Sequence, residues 1–234
     1  MAEAELATFI DRFTVQFVRV FPHPIERVWR ALTDPAELGA WCMPAEIDLR
    51  VGGAYVFQGE PWGTILALEP PRLIRFGKTG VFDEPMVAER NYFQYELEAT
   101  AQGTRMTFIE RWAEGPDYRS WFVRKFGQEG DDLPGGPDSP FHPGTVGGWH
   151  AMFDDLADFL DGVPRGTRLP PSRFSAVAKA WAGEKVRKGK FAADDADGYV
   201  GELRAEESYF DLIDVYRDHI RATLPPAKPK GGLR

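Results

Sequence analysis

The chain is poor in the residues from which active sites are most often built. Of its 234 residues one is Cys and four are His. A lone Cys42 excludes an internal disulfide framework, and His142 and His150 have no third ligand near them in sequence, so no metal is expected. The chain has only five Ser, and none stands in Gly-x-Ser-x-Gly, so no nucleophile elbow can be drawn. Cys42, flanked by Trp41 and Met43-Pro44, reads as a small buried apolar residue and not as a nucleophile. The acidic turn Asp194-Asp195-Ala196-Asp197-Gly198 fails as a calcium loop: with Gly198 in the turn position, Ala193 and Arg204 fall where carboxylates are required. No segment approaches the roughly eighteen unbroken apolar residues of a membrane span. The acidic start Met1-Ala2-Glu3-Ala4-Glu5 lacks the basic and apolar regions of a signal peptide. The expectation is a cytoplasmic protein without membrane span, metal or cofactor, and no catalytic residue is assigned.

Positive charge is also scarce, but only in one part. The net charge of -8 divides into -12 over residues 1–164 and +4 over residues 165–234. An acidic main part repels a phosphate backbone, which argues against nucleic acid as a partner, and the two parts attract each other. The basic run Lys179, Lys185, Arg187, Lys188 and Lys190, interleaved with Trp181 and Phe191, reads as a solvated helix face.

Aromatic residues are plentiful. Phe, Trp and Tyr make up 13% of the chain, enough for a thick core or a cavity lined by rings. From Phe21 to Gly53 they sit in a dense run of local signals. Pro24 suits a helix start, and Ile25, Val28, Trp29 and Leu32 recur at helical spacing. Asp34-Pro35-Ala36-Glu37 reads as N-cap, first-turn Pro and capping-box acid of a second helix that turns Leu38 and Trp41 inward. Gly52-Gly53 then allows a close backbone approach before a strand at Ala54. Strands are predicted at Arg12–Phe21, Glu46–Arg50, Ala54–Gln58, Gly63–Glu69 and Leu73–Lys78, with a hairpin of Asn91–Ala99 and Thr104–Trp112. By alternation Glu110 shares the inward set of Met106, Phe108 and Trp112 unless a bulge moves it, and a buried acid there needs a partner.

From Val146 to Asp161 the apolar residues Trp149, Met152, Phe153, Leu156, Phe159 and Leu160 form one helical stripe, ended by Gly162 and Pro164. Residues 113–145 are rich in Gly and Pro yet carry Trp121, Phe122, Phe126 and Phe141, which fits either a lid or a loop with its rings tucked away. Two further helices are predicted at Ser172–Lys190 and Tyr199–Leu224, followed by a disordered tail. The second of these helices carries a stripe of Leu203, Phe210, Ile213, Tyr216 and Ile220, expected to dock on the chain's own main part.

The run Pro24-Ile25-Glu26-Arg27-Val28-Trp29-Arg30-Ala31-Leu32-Thr33-Asp34-Pro35, with Trp41, Gly52-Gly53 and Gly147-Gly148-Trp149-His150, resembles the START-like (SRPBCC) superfamily. The nearest branch is named for the activator of a heat-shock-protein ATPase, and the resemblance spans roughly Arg12 to Gly162. It implies an α+β helix-grip fold, in which a curved antiparallel sheet wraps a long C-terminal helix and leaves a cavity between them. The expected division is a START-like domain over residues 1–164 and a helical extension over 165–234. In that fold, Phe57, Phe76, Phe93, Tyr95, Phe108 and Trp112 from the strands, Trp41 from the second helix, and Trp149 and Phe153 from the gripped helix are candidates to line the cavity. Arg75 and Glu110, with Arg111 beside them, are candidates for a polar pair there or for a plain cross-strand pair, and His150 stands at the rim or on the surface. The function expected is the binding of a small apolar, aromatic or lipid-like ligand by a monomer or homodimer. Two alternatives are a module that binds a partner or regulates a chaperone ATPase, and an enzyme of cyclase or dehydratase type.

Overall fold

A computed structural model describes residues 6–79, 90–126, 133–163, 213 and 215–227. The strands are β1 (Thr8–Asp11), β2 (Thr14–Phe21), β3 (Ala45–Ile47), β4 (Ala54–Phe57), β5 (Glu60–Glu69), β6 (Leu73–Lys78), β7 (Tyr92–Thr100) and β8 (Gly103–Arg111). They form one antiparallel sheet of eight strands in the order β1-β2-β8-β7-β6-β5-β4-β3. The helices are α1 (Ile25–Thr33), α2 (Pro35–Trp41), α3 (Tyr118–Phe126) and α4 (Pro143–Leu160), with a further helix over 215–223. This is the expected α+β helix-grip architecture.

Alternation decides what each strand gives the core. Val15, Phe17 and Phe21 of β2, Ile74 and Phe76 of β6, Phe93, Tyr95 and Leu97 of β7, and Met106 and Phe108 of β8 are all buried. α4 lies against this face: the Phe153 ring is 5.3 Å from Phe17 and 5.0 Å from Phe108, and Leu156 is fully buried. Removing each such ring from water contributes about 2–3 kcal/mol, which is why the sheet curves onto one helix.

The α1–α2 corner forms as its residues dictate. The Asp34 carboxylate accepts from the Ala36 and Glu37 amides at 2.8 and 3.2 Å, capping α2. Glu37 does not complete a capping box; it accepts from Arg27 and Arg30 of α1 at 2.6 and 2.5 Å, tying the two helices together. The Trp41 indole donates to the Ala31 carbonyl at 2.9 Å from a buried position. Beyond β3, a Cβ at Gly53 would stand 2.0 Å from the Asp48 carbonyl oxygen, so the turn into β4 admits no side chain.

Three local expectations change. The strand predicted over Arg12–Phe21 forms as β2 from Thr14, and an additional strand, β1, precedes it, because Asp11 accepts from the Phe13 amide at 2.7 Å and the Thr14 hydroxyl at 3.1 Å and folds the chain back on itself. Within residues 113–145 a helix, α3, forms, and Trp121, Phe122 and Phe141 are buried in the main core. α4 begins at Pro143, because His142 Nδ1 accepts from the Gly144 amide at 3.0 Å and Pro143 fits the first turn.

The predicted helix over Ser172–Lys190, the acidic turn at Asp194, the basic run and most of Tyr199–Leu224 lie outside the described residues. Of the last stripe, Tyr216 and Ile220 are buried in the same core as β2 and α4. The Tyr216 hydroxyl accepts from the Ala7 amide at 3.1 Å, Arg12 donates to the Pro225 carbonyl at 3.2 Å, and His219 Nε2 is 2.6 Å from the Ala7 carbonyl.

Candidate functional site

On the inner face of the sheet, beside a cluster of rings, two charged residues are buried together. Glu110 of β8 keeps the inward register of Phe108, and no bulge removes it, since β7 and β8 pair without interruption from Tyr92↔Arg111 to Thr100↔Gly103. Its Oε1 accepts from Lys78 Nζ at 2.8 Å, and its Oε2 accepts from Trp149 Nε1 of α4 at 3.0 Å. Lys78 ends β6 on the same side as Ile74 and Phe76, is 2% exposed, and places its ammonium 3.6 Å from the centre of the Trp112 ring. Burial pushes the Lys78 pKa below its ordinary value, and the Glu110 carboxylate pulls it back up.

Around the pair the expected rings do come together. Phe93 stacks on Phe76 at 4.9 Å and meets Trp149 at 5.5 Å, Phe108 meets Trp149 at 4.4 Å and Tyr95 at 5.2 Å, and Phe57 joins through Tyr55 at 5.5 Å. Phe153 stacks beside Trp149 on α4. Trp149 itself is only partly buried, as are Cys42, Met43, Trp62 and Met152, which pack against the core without being enclosed by it. Cys42 Sγ and Met152 Sδ are 3.6 Å apart, linking α2 to α4.

Tyr95 differs from the other rings. It is 6% exposed, and its hydroxyl has no hydrogen-bond partner among the described residues. Burial, with Cys42 and then Glu110 close enough to add to it, holds its pKa well above the ordinary value, so it remains a protonated donor.

Other candidates stand elsewhere. Arg75 lies one residue out of step with Phe76, faces the outer side of the sheet, and donates to Gln94 at 2.6 Å over the Tyr92 ring. Arg111 is likewise out of step with Glu110 and donates to Thr14 Oγ1 at 2.7 Å and Asp11 at 3.3 Å. The partner of Glu110 is therefore Lys78, not Arg75 or Arg111. Trp41 closes α2 on α1, as described above, and Trp112 meets the ring of Tyr118 at 5.8 Å while carrying Lys78 on its face.

His150 is neither at a rim nor on the surface. It is 5% exposed, with Nδ1 2.8 Å from the Tyr216 hydroxyl of the C-terminal helix and Nε2 3.7 Å from Asp154. Burial, then the nearby Arg19 guanidinium, lowers its pKa from 6.5 to about 4. Arg19 itself is buried on the inward side of β2, over the Phe17 and Phe153 rings, a placement its shared parity with Phe17 would have revealed. Lys78 carried the same signal through Ile74 and Phe76.

An antiparallel sheet gripping a long helix, with rings and a small polar group between them, defines a START-like α+β protein. The model of the family described as Activator of Hsp90 ATPase homolog 1-like protein matches residues 22–161, and the chain belongs to that family. Among solved structures it is similar to CalU16 from Micromonospora echinospora, at 20% identity over 86% of this chain and 88% of that one, with a TM-score of 0.44. MLL2253 from Mesorhizobium loti is 24% identical over 64% of this chain and 97% of its own, with a TM-score of 0.46. NE0264 from Nitrosomonas europaea is 22% identical over 66% and 99%, with a TM-score of 0.44. No curated protein sequence matches the chain.

Proposed function

We propose that this protein binds a small apolar, ring-containing ligand between the sheet and α4, with the Lys78–Glu110–Trp149 group as the polar end of the site. The observation that carries this reading is the buried ion pair facing a partly exposed Trp149 in an otherwise apolar, largely aromatic setting. For stability alone an ion pair in a core is poorly suited: its desolvation cost offsets its attraction, and apolar side chains of similar volume serve as well or better. Apolar walls with a few convergent polar groups are, in contrast, what a small-molecule site requires. Partly exposed Cys42, Met43, Trp62, Trp149 and Met152 then form the approach, and flexible thioethers adapt that surface to a guest.

Native mass spectrometry of freshly purified protein tests the reading directly, together with titration of an aromatic probe followed by tryptophan emission in the native protein and in Trp149→Phe. A co-purified small molecule, or saturable quenching that Trp149→Phe removes, is expected. A bare polypeptide mass together with no saturable response would overturn the proposal.

A further inference from the structure

We infer that the site selects a neutral ligand whose hydrogen-bond acceptor, such as an aryl ketone carbonyl, is held by the Tyr95 hydroxyl, and that it discriminates against carboxylates. This rests on the ligand-binding reading above and names the class of molecule. For a ring-lined site the obvious guest is an aromatic or fatty acid, with a lysine to receive its carboxylate. Here that lysine is already engaged: Lys78 lies 2.8 Å from Glu110, with Trp112 against its ammonium. A second carboxylate would bring a like charge beside buried Glu110 and shed its own hydration without gaining an unmatched cation. Arg19 lies at the other flank of α4, beside His150 and Tyr216.

The donor left over is Tyr95. Its ring is fixed on the inner face by contacts with Phe93, Phe108 and Phe153 at 6.1, 5.2 and 6.5 Å, so the hydroxyl is presented in one place. The hydroxyl is protonated and has no hydrogen-bond partner among the described residues. Glu110 is engaged on both oxygens, by Lys78 and by Trp149. The polar end thus offers a donor and no net charge, the complement of a neutral acceptor on an aromatic body.

Three probes of one shape test this: 2-acetylnaphthalene, 2-ethylnaphthalene and 2-naphthoate, titrated at neutral pH against the full chain and against Tyr95→Phe. The acetyl probe is expected to bind about tenfold tighter than either of the others, the difference one buried hydrogen bond supplies. Tyr95→Phe is expected to remove most of that advantage while changing the affinity for the ethyl probe by less than about twofold. Naphthoate binding as tightly as the ketone, or a ketone affinity indifferent to Tyr95→Phe, would refute the neutral-acceptor assignment while leaving the apolar site standing. If none of the three binds to protein that circular dichroism reports as folded, the ligand-binding reading falls, and this inference falls with it.

Discussion

Replacing Lys78 by Met keeps the length and bulk of the side chain and removes its charge from a position that is 2% exposed. What remains is Glu110, 3% exposed, with the Trp149 indole at 3.0 Å as its remaining donor among the described residues. Breaking a buried pair from one side costs about 3–5 kcal/mol, because the abandoned charge has neither water nor counter-ion. Loss of the ammonium over the Trp112 ring adds at most about 1–2 kcal/mol. For a chain of this size the melting temperature should fall by roughly 10 °C. Replacing Glu110 by Met in the same protein should recover most of the loss, leaving it within about 1 kcal/mol of the native value, since an apolar pair of like volume fits a ring-lined space. The Trp149 N–H then loses its acceptor, but that residue is partly exposed and water can take the place. Urea melts followed by far-UV circular dichroism give both numbers without relying on the tryptophans near the site. A loss below about 1 kcal/mol for Lys78→Met, or a double variant no better than the single one, would refute the claim that the two charges are buried and mutually dependent.

Trp149→Ala should destabilise by about 2–3 kcal/mol, less than the full cost of a buried ring, because the side chain is only partly enclosed; denaturant melts measure it. Gly53→Ala should cost about 2 kcal/mol or more, since its methyl would meet the Asp48 carbonyl oxygen at 2.0 Å, whereas Gly39→Ala, with open space around it, should be neutral or slightly stabilising. With His150 lowered from 6.5 to about 4 in the fold, the unfolded chain binds the extra proton between those values. Stability from this group is therefore complete above about pH 6.5 and is lost as pH falls toward 4, by about 2 kcal/mol at pH 5, and urea melts of His150→Gln should lack that slope.

Much of this was legible along the chain because it rests on short-range rules. The Asp34 cap, the inward Trp41, strand β6 over Leu73–Lys78 and the β7–β8 hairpin follow from neighbours in sequence, and Glu110 was placed inward by counting from Phe108. Lys78 was legible by the same count from Phe76, but a cation at a strand end reads as solvated until its partner on another strand is known. Arg75 invites the opposite error: it is the right chemistry one residue out of register, which in a strand means the wrong side of the sheet. β1 was missed because it has only four residues and pairs with β2 through the turn that the Asp11 side chain holds. α3 was hidden by the Gly and Pro on either side. The burial of His150 was not legible locally at all, for it depends on Tyr216, sixty-six residues further on.

That last dependence bears on the site itself. Trp149 and His150 are consecutive in α4, so their side chains leave the helix about 100° apart. One reaches across the sheet face to Glu110, and the other meets the Tyr216 hydroxyl from the far flank. The Tyr216 hydroxyl accepts from the Ala7 amide at 3.1 Å, so its single proton is available to His150 Nδ1. This leaves the remaining imidazole proton on Nε2, toward Asp154, and the ring neutral in agreement with its lowered pKa. A helix held on two flanks by oriented hydrogen bonds cannot roll about its axis without breaking one of them. The rotation of α4 that places the Trp149 indole over Glu110 is thus set jointly by the sheet and by the helix over 215–223, and the polar end of the site owes part of its geometry to a segment beyond the residues that define the family.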